Sequence, residues 1–152
     1  MTHHDTAAEI RRAGMTATAA RCAVLAVLDG RAQALSAGDI HLLLREQGHR
    51  IGLATVYRTL HALAAVDLVH VFHLDGQDSY RHCRYGRHHH LVCRDCRTVV
   101  ERPADELESV LDRIRADEDF LPDPRQTDVV GICRNCRDAV TDLLDMSGVP
   151  RR

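Results

Sequence analysis

The stretch that decides the fold runs Leu53-Ala54-Thr55-Val56-Tyr57-Arg58-Thr59-Leu60-His61-Ala62-Leu63-Ala64-Ala65, then Asp67-Leu68-Val69-His70-Val71-Phe72-His73, then Asp75-Gly76, then Gln77-Asp78-Ser79-Tyr80-Arg81. Its first part is spaced as a helix. After Asp67 the period changes to two, and Asp-Gly between two β-prone runs is a strong hairpin signal. Upstream lie three more helical segments. Ala7 to Ala13 stops at Gly14. A second begins behind Thr18 as N-cap and ends at Asp29-Gly30, with Cys22 on its apolar face beside Leu25 and Ala26. A third follows Ser36, with Asp39 placed to complete a capping box and Gly48 as its stop. Helices followed by a hairpin describe a winged helix-turn-helix, whose last helix enters the major groove and whose hairpin is the wing.

Working outward, residues 84–88 read as a hinge and the period-two pattern resumes at 89–93 and 97–101. Pro103 opens a helix carrying Leu107, Val110, Leu111 and Ile114. A third strand is expected over 127–132, a last helix over about 137–146, and a disordered tail over 147–152. The expected class is thus α+β, with a winged-helix domain at 1–83 and a small α/β domain at 89–146.

Two matched clips lie in the second domain, Cys93-Arg94-Asp95-Cys96 and Cys133-Arg134-Asn135-Cys136. Each puts two thiolates on one tight turn, and together they complete a tetrahedral shell suited to a structural Zn2+. Only two Phe, three Tyr and no Trp are present, so a small domain built from Leu, Val and Ala gains most from such a staple. Cys83 and the run His88-His89-His90 form a second, more open ligand set.

The 152 residues carry a net charge of −2, all twenty basic residues being Arg. Residues 1–66 hold seven Arg against five acids, while residues 67–152 hold thirteen against seventeen. The front half therefore favours an anionic partner. No signal peptide or apolar run of membrane-spanning length is expected, and clustered Cys without a secretory signal fits a reducing cytoplasm. No His-Glu-x-x-His pattern or nucleophile triad is present, so neither an enzyme nor a small-molecule substrate is expected.

The string Ile51-Gly-Leu-Ala-Thr-Val-Tyr-Arg-Thr-Leu60 resembles the recognition helix of the ferric uptake regulator family. The resemblance continues through Tyr80-Arg-His-Cys83, His88-His-His-Leu-Val-Cys93-Arg-Asp-Cys96 and Gly131-Ile-Cys133-Arg-Asn-Cys136, spanning roughly residues 7–137. It implies a homodimeric, metal-dependent repressor of double-stranded DNA with a pseudo-palindromic operator, the second domain serving dimerisation. The Cys before the His run makes the chain look most like the zinc uptake regulators.

Alternate side chains share a face of a strand, so His88 and His90 converge while His89 points away. With His70 and Cys83 they form the expected regulatory shell for a second Zn2+, and Glu101 is the alternative fourth ligand, because some relatives use an acid there. Cys in a four-coordinate site selects zinc, whereas iron- and manganese-type sites in the family rely on His and carboxylate. A third site found in many relatives would fall on His89 and Glu108. Arg87 and Arg125 occupy its other two positions, so it is expected to be weak or absent. For DNA, Arg58 is the expected base contact and Tyr57 meets a base methyl or a phosphate, flanked by Thr55 and Thr59, with Arg50 and Arg21 on phosphates. Thr16 lacks the basic group that many relatives place there, so that contact is either missing or supplied by Arg11 or Arg12. An iron, nickel or peroxide sensor is the alternative within the family. Outside it stand a zinc-storage protein and a zinc enzyme.

Overall fold

A computed structural model describes residues 5–83, 88–123 and 127–139. The chain divides into two compact units, residues 1–85 and 86–152.

In the first unit, α1 (Thr6–Arg12) is capped by Asp5, whose carboxylate accepts from the Ala7 and Ala8 amides. Thr18 caps α2 (Ala19–Leu28) in the expected way. A two-residue strand that the sequence did not announce, β1 (Leu35–Ser36), precedes α3 (Ala37–Glu46). Ser36 and Asp39 complete the capping box, each side chain accepting from the other's backbone amide. α4 (Leu53–Ala64) follows. Val24, Leu25, Ile40, Leu44, Val56, Leu60 and Leu63 from these helices are all fully buried together, with Tyr80 from the hairpin. Ala26, placed by periodicity on the apolar face, is exposed; Val24 and Val27 take that role.

The hairpin is β2 (Val69–Leu74) and β3 (Gln77–His82), antiparallel, with β1 on the far side of β3. Asp75 and Gly76 both lie at positive φ, 51° and 74°. That pair of left-handed residues is the two-residue turn whose twist matches the strands.

The second unit holds β4 (His88–Cys93), β5 (Val99–Pro103), α5 (Asp105–Glu118) and β6 (Asp128–Gly131), with sheet order β5-β4-β6. β4 is antiparallel to β5 and parallel to β6. Pro103 does not open α5. It ends β5 opposite His88, and the helix starts two residues later. A proline can end a ladder because its missing N–H costs nothing there. Residues 134–139 are helical, earlier than the expected 137. The remainder of that expected helix, the tail, most of the 84–88 hinge, and Arg87 and Arg125 lie outside the described residues. Buried apolar side chains in this unit are few among the described residues: Val92, Cys93 and Val99.

Candidate metal centres and nucleic-acid surface

The two cysteine clips meet in the second unit. Cys93, Cys96, Cys133 and Cys136 place their sulfurs within 4.8 Å of one another. Backbone hydrogen bonds shape the first clip: the Arg97 amide donates to the Cys93 carbonyl at 2.9 Å, and the Cys93 amide to the Thr98 carbonyl at 2.9 Å. Arg97 pays for this tight return with φ of 58°. The Arg94 amide donates to the Gly131 carbonyl at 3.0 Å, bringing the end of β6 alongside. The second clip continues into the helical residues 134–139, and the Cys133 amide donates to Cys93 Sγ at 3.3 Å.

The four thiols are unlike in acidity. Burial opposes ionisation of Cys93, but backbone amides of Cys133, Cys96 and Asp95 outweigh it and lower the thiol to about 6. Cys96 is lowered by the hydroxyl and amide of Thr98, whose Oγ1 lies 3.2 Å away. Cys136 is raised to about 12, since its proton is held between the Cys96 and Cys133 sulfurs. Four thiolates this close repel one another, so all ionise together only around a cation. The donor set and its spacing fit Zn2+.

The candidate regulatory residues fall in both units. In the first, half-buried His70 on β2 and buried Cys83, just past β3, bring a ring nitrogen and a sulfur within 4.8 Å. In the second, His88 and His90 share a face of β4, their ring centroids 4.7 Å apart. Glu101 stands directly opposite His90 across the β4–β5 ladder. His90 is buried at 3 % exposure, and its Nδ1 lies 2.9 Å from Asp128 Oδ1 on β6.

His89 is also buried, at 4 %, and lines a small cavity with Glu108, Leu107 and Leu111. Its Nε2 is 3.9 Å from Glu106, and its Nδ1 has no partner among the described residues. Arg102 binds Glu106 and holds its carboxyl below the usual range. Among the described residues, His89 and Glu108 do not belong to a group of three ligands.

On the first unit, α4 presents Ala54, Tyr57, Arg58 and His61 outward, a stripe at helical spacing. Arg58 donates to Thr55 Oγ1 at 3.1 Å, which orients the guanidinium. Thr59 departs from expectation: it is 7 % exposed on the core side with Val56, Leu60 and Leu63, so it cannot flank a DNA contact. Arg50 is exposed before α4. Arg21 is half-buried and donates to the Thr16 carbonyl at 2.8 Å, tightening the entry to α2. Arg12 donates to Ala8 within α1, and Arg11 is exposed.

A further pair of contacts had no sequence signal. His82, next to Cys83, lies 2.9 Å from Glu9 and 3.2 Å from Asp29, tying the wing to α1 and the end of α2.

A winged helix followed along the chain by a unit with a four-thiolate centre defines a metal-binding, DNA-directed protein. The profile of the ferric uptake regulator family matches residues 12–124, and the chain belongs to that family. It is 36 % identical to the zinc uptake regulation protein of Mycobacterium tuberculosis over 126 residues, 82 % of this chain and 97 % of that one. It is 37 % identical to the ferric uptake regulation protein of Bacillus subtilis over 123 residues, 78 % of this chain and 83 % of that one. Among solved structures, the ferric uptake regulator of Pseudomonas aeruginosa with manganese superposes with a TM-score of 0.63 at 31 % identity, covering 86 % of this chain and 99 % of that one. A zinc uptake regulator complexed with zinc and DNA gives 0.67 at 24 % identity, covering 88 % and 91 %, and shares the fold.

Proposed function

We propose that the chain is a zinc-responsive, homodimeric transcriptional repressor acting in the cytoplasm, and that it is not an enzyme. Cys93, Cys96, Cys133 and Cys136 hold a structural Zn2+ that staples a weakly cored unit. His70, Cys83, His88 and His90, with Glu101 as the alternative fourth ligand, hold a second Zn2+ that biases the hinge. Filled, this site favours the geometry in which two recognition helices reach successive major grooves of a pseudo-palindromic operator. Excess zinc then shuts off zinc-acquisition genes. Tyr57 and Arg58 read bases and Arg50 meets phosphate.

The observation that carries the metal assignment is the buried sulfur of Cys83 beside His70, a soft donor that favours zinc over iron or manganese. Homodimerisation is supported by an apolar row on the second unit's sheet. Leu91, Val100 and Val129 are register partners across three strands and remain 40 %, 47 % and 47 % exposed in the single chain. No helix of the described residues is long and apolar enough to cross a membrane.

The test is to titrate zinc and ferrous iron, separately, into reduced dimer retaining only its structural zinc, in competition with a chelator. Tight zinc binding lost in Cys83→Ser, with weak iron binding, supports the reading. Iron binding indifferent to Cys83 supports the second reading, an iron sensor, which the identity to the Bacillus subtilis protein and the position of Glu101 opposite His90 favour.

A further inference from the structure

We infer that Asp128 is a positioning residue for the regulatory metal, holding the His90 imidazole so that its Nε2 is presented as the ligand. The inference rests on the reading that His90 binds that metal. His90 and Asp128 are register partners in the parallel β4–β6 ladder, and the His90 amide donates to the Thr127 carbonyl at 3.4 Å. The carboxylate lies 2.9 Å from Nδ1. An ionised carboxylate only accepts hydrogen bonds, so Nδ1 carries the proton and the lone pair is left on Nε2. A carboxylate behind a metal-ligating His fixes tautomer and ring plane and raises ligand basicity.

A purely structural role accounts poorly for the pair. The His90 side chain is 3 % exposed and that of Asp128 21 %, so both are drawn substantially out of water. Desolvating such a pair returns little net stability compared with apolar residues of similar size. The strand around it, Asp128-Val129-Val130, otherwise offers β-branched residues suited to that replacement. β6 also runs directly into the second cysteine clip, with Gly131 bound to Arg94 of the first. The structural centre therefore anchors the strand that orients the sensing ligand.

Cobalt(II) is the probe, added to dimer whose four-cysteine site is already loaded with zinc, for wild type, Asp128→Ala, Asp128→Asn and Cys83→Ser. The readouts are the cobalt ligand-field bands, the thiolate-to-cobalt charge-transfer band, and affinity by competition with zinc. Asp128→Ala is expected to weaken binding about 10–100-fold and to alter the ligand-field bands, while the charge-transfer band and structural zinc content persist. Asp128→Asn, which keeps the side chain's shape, is expected to fall between, and it decides the matter should Asp128→Ala lose its structural zinc. Wild-type affinity and spectra in Asp128→Asn and Asp128→Ala, with the band lost in Cys83→Ser, overturn the positioning role and leave the regulatory site standing. A charge-transfer band that survives in Cys83→Ser overturns the regulatory site itself, and the inference with it.

Discussion

Replacing Cys136 by Ser should unfold the second unit and leave the first intact. The clips join Cys93 to Cys133 across a sequence separation of 40 residues. Treating the filled centre as one cross-link, the chain entropy withheld from the unfolded state is worth roughly 4 kcal/mol at 25 °C. Against that stand few buried apolar side chains. Val92 and Val99 contribute about 1.5–3 kcal/mol each when fully buried, while every ordered residue costs on the order of 1 kcal/mol or more of backbone entropy. The first unit has its own core of fully buried Leu, Ile and Val and needs no metal. Hydrogen exchange read by mass spectrometry separates the two units. Amides of β4, β5 and β6 should lose protection in Cys136→Ser, and in wild type after chelation, while those of α2, α3 and α4 keep it. Wild-type protection of β4–β6 in the variant would refute the claim that the four-thiolate centre holds this unit together.

Other expectations concern single contacts. Ser36→Ala removes the acceptor for the Asp39 amide at 3.1 Å and should cost about 1 kcal/mol, seen as a lower melting temperature of the first unit alone. Arg58→Ala should weaken operator binding by about 1–3 kcal/mol and relax preference at one base pair, and Thr59→Val should leave that preference unchanged. Metal loading of the four-cysteine centre should fall with pH. The metal-free unit is unfolded, so its thiols sit near their ordinary value of 9.0 and must give up their protons as the unit folds around zinc. The slope of log affinity against pH should therefore exceed one proton between about pH 6 and 8. An affinity independent of pH through that range would contradict the coupling of zinc binding to thiol ionisation.

Local chemistry made much of this legible. Thr18, the Ser36–Asp39 box and Asp75-Gly76 each dictate their own neighbourhood, so caps and hairpin could be read residue by residue. The cysteine clips were legible because tetrahedral thiolate chemistry leaves few alternatives to that spacing. Long-range pairing was not. Nothing near Asp128 in the chain says that it will face His90, because only the parallel register of β6 on β4 brings them together. The same holds for Glu9 and Asp29 around His82, residues separated by most of the first unit. Pro103 misled because a helix-opening proline and a strand-closing one look alike until the ladder is seen. Thr59 misled because its neighbours Tyr57 and Arg58 are outward-facing, while helical geometry turns the next residue toward the core.

The most direct test of the central claim is DNA affinity measured at two zinc levels. Protein with only its four-cysteine centre filled is titrated onto a duplex selected from random DNA, by fluorescence anisotropy, without and with buffered free zinc. Wild type should gain about 5–150-fold in affinity on zinc addition, and Cys83→Ser should gain none. Equal affinity with and without zinc in wild type would contradict the account.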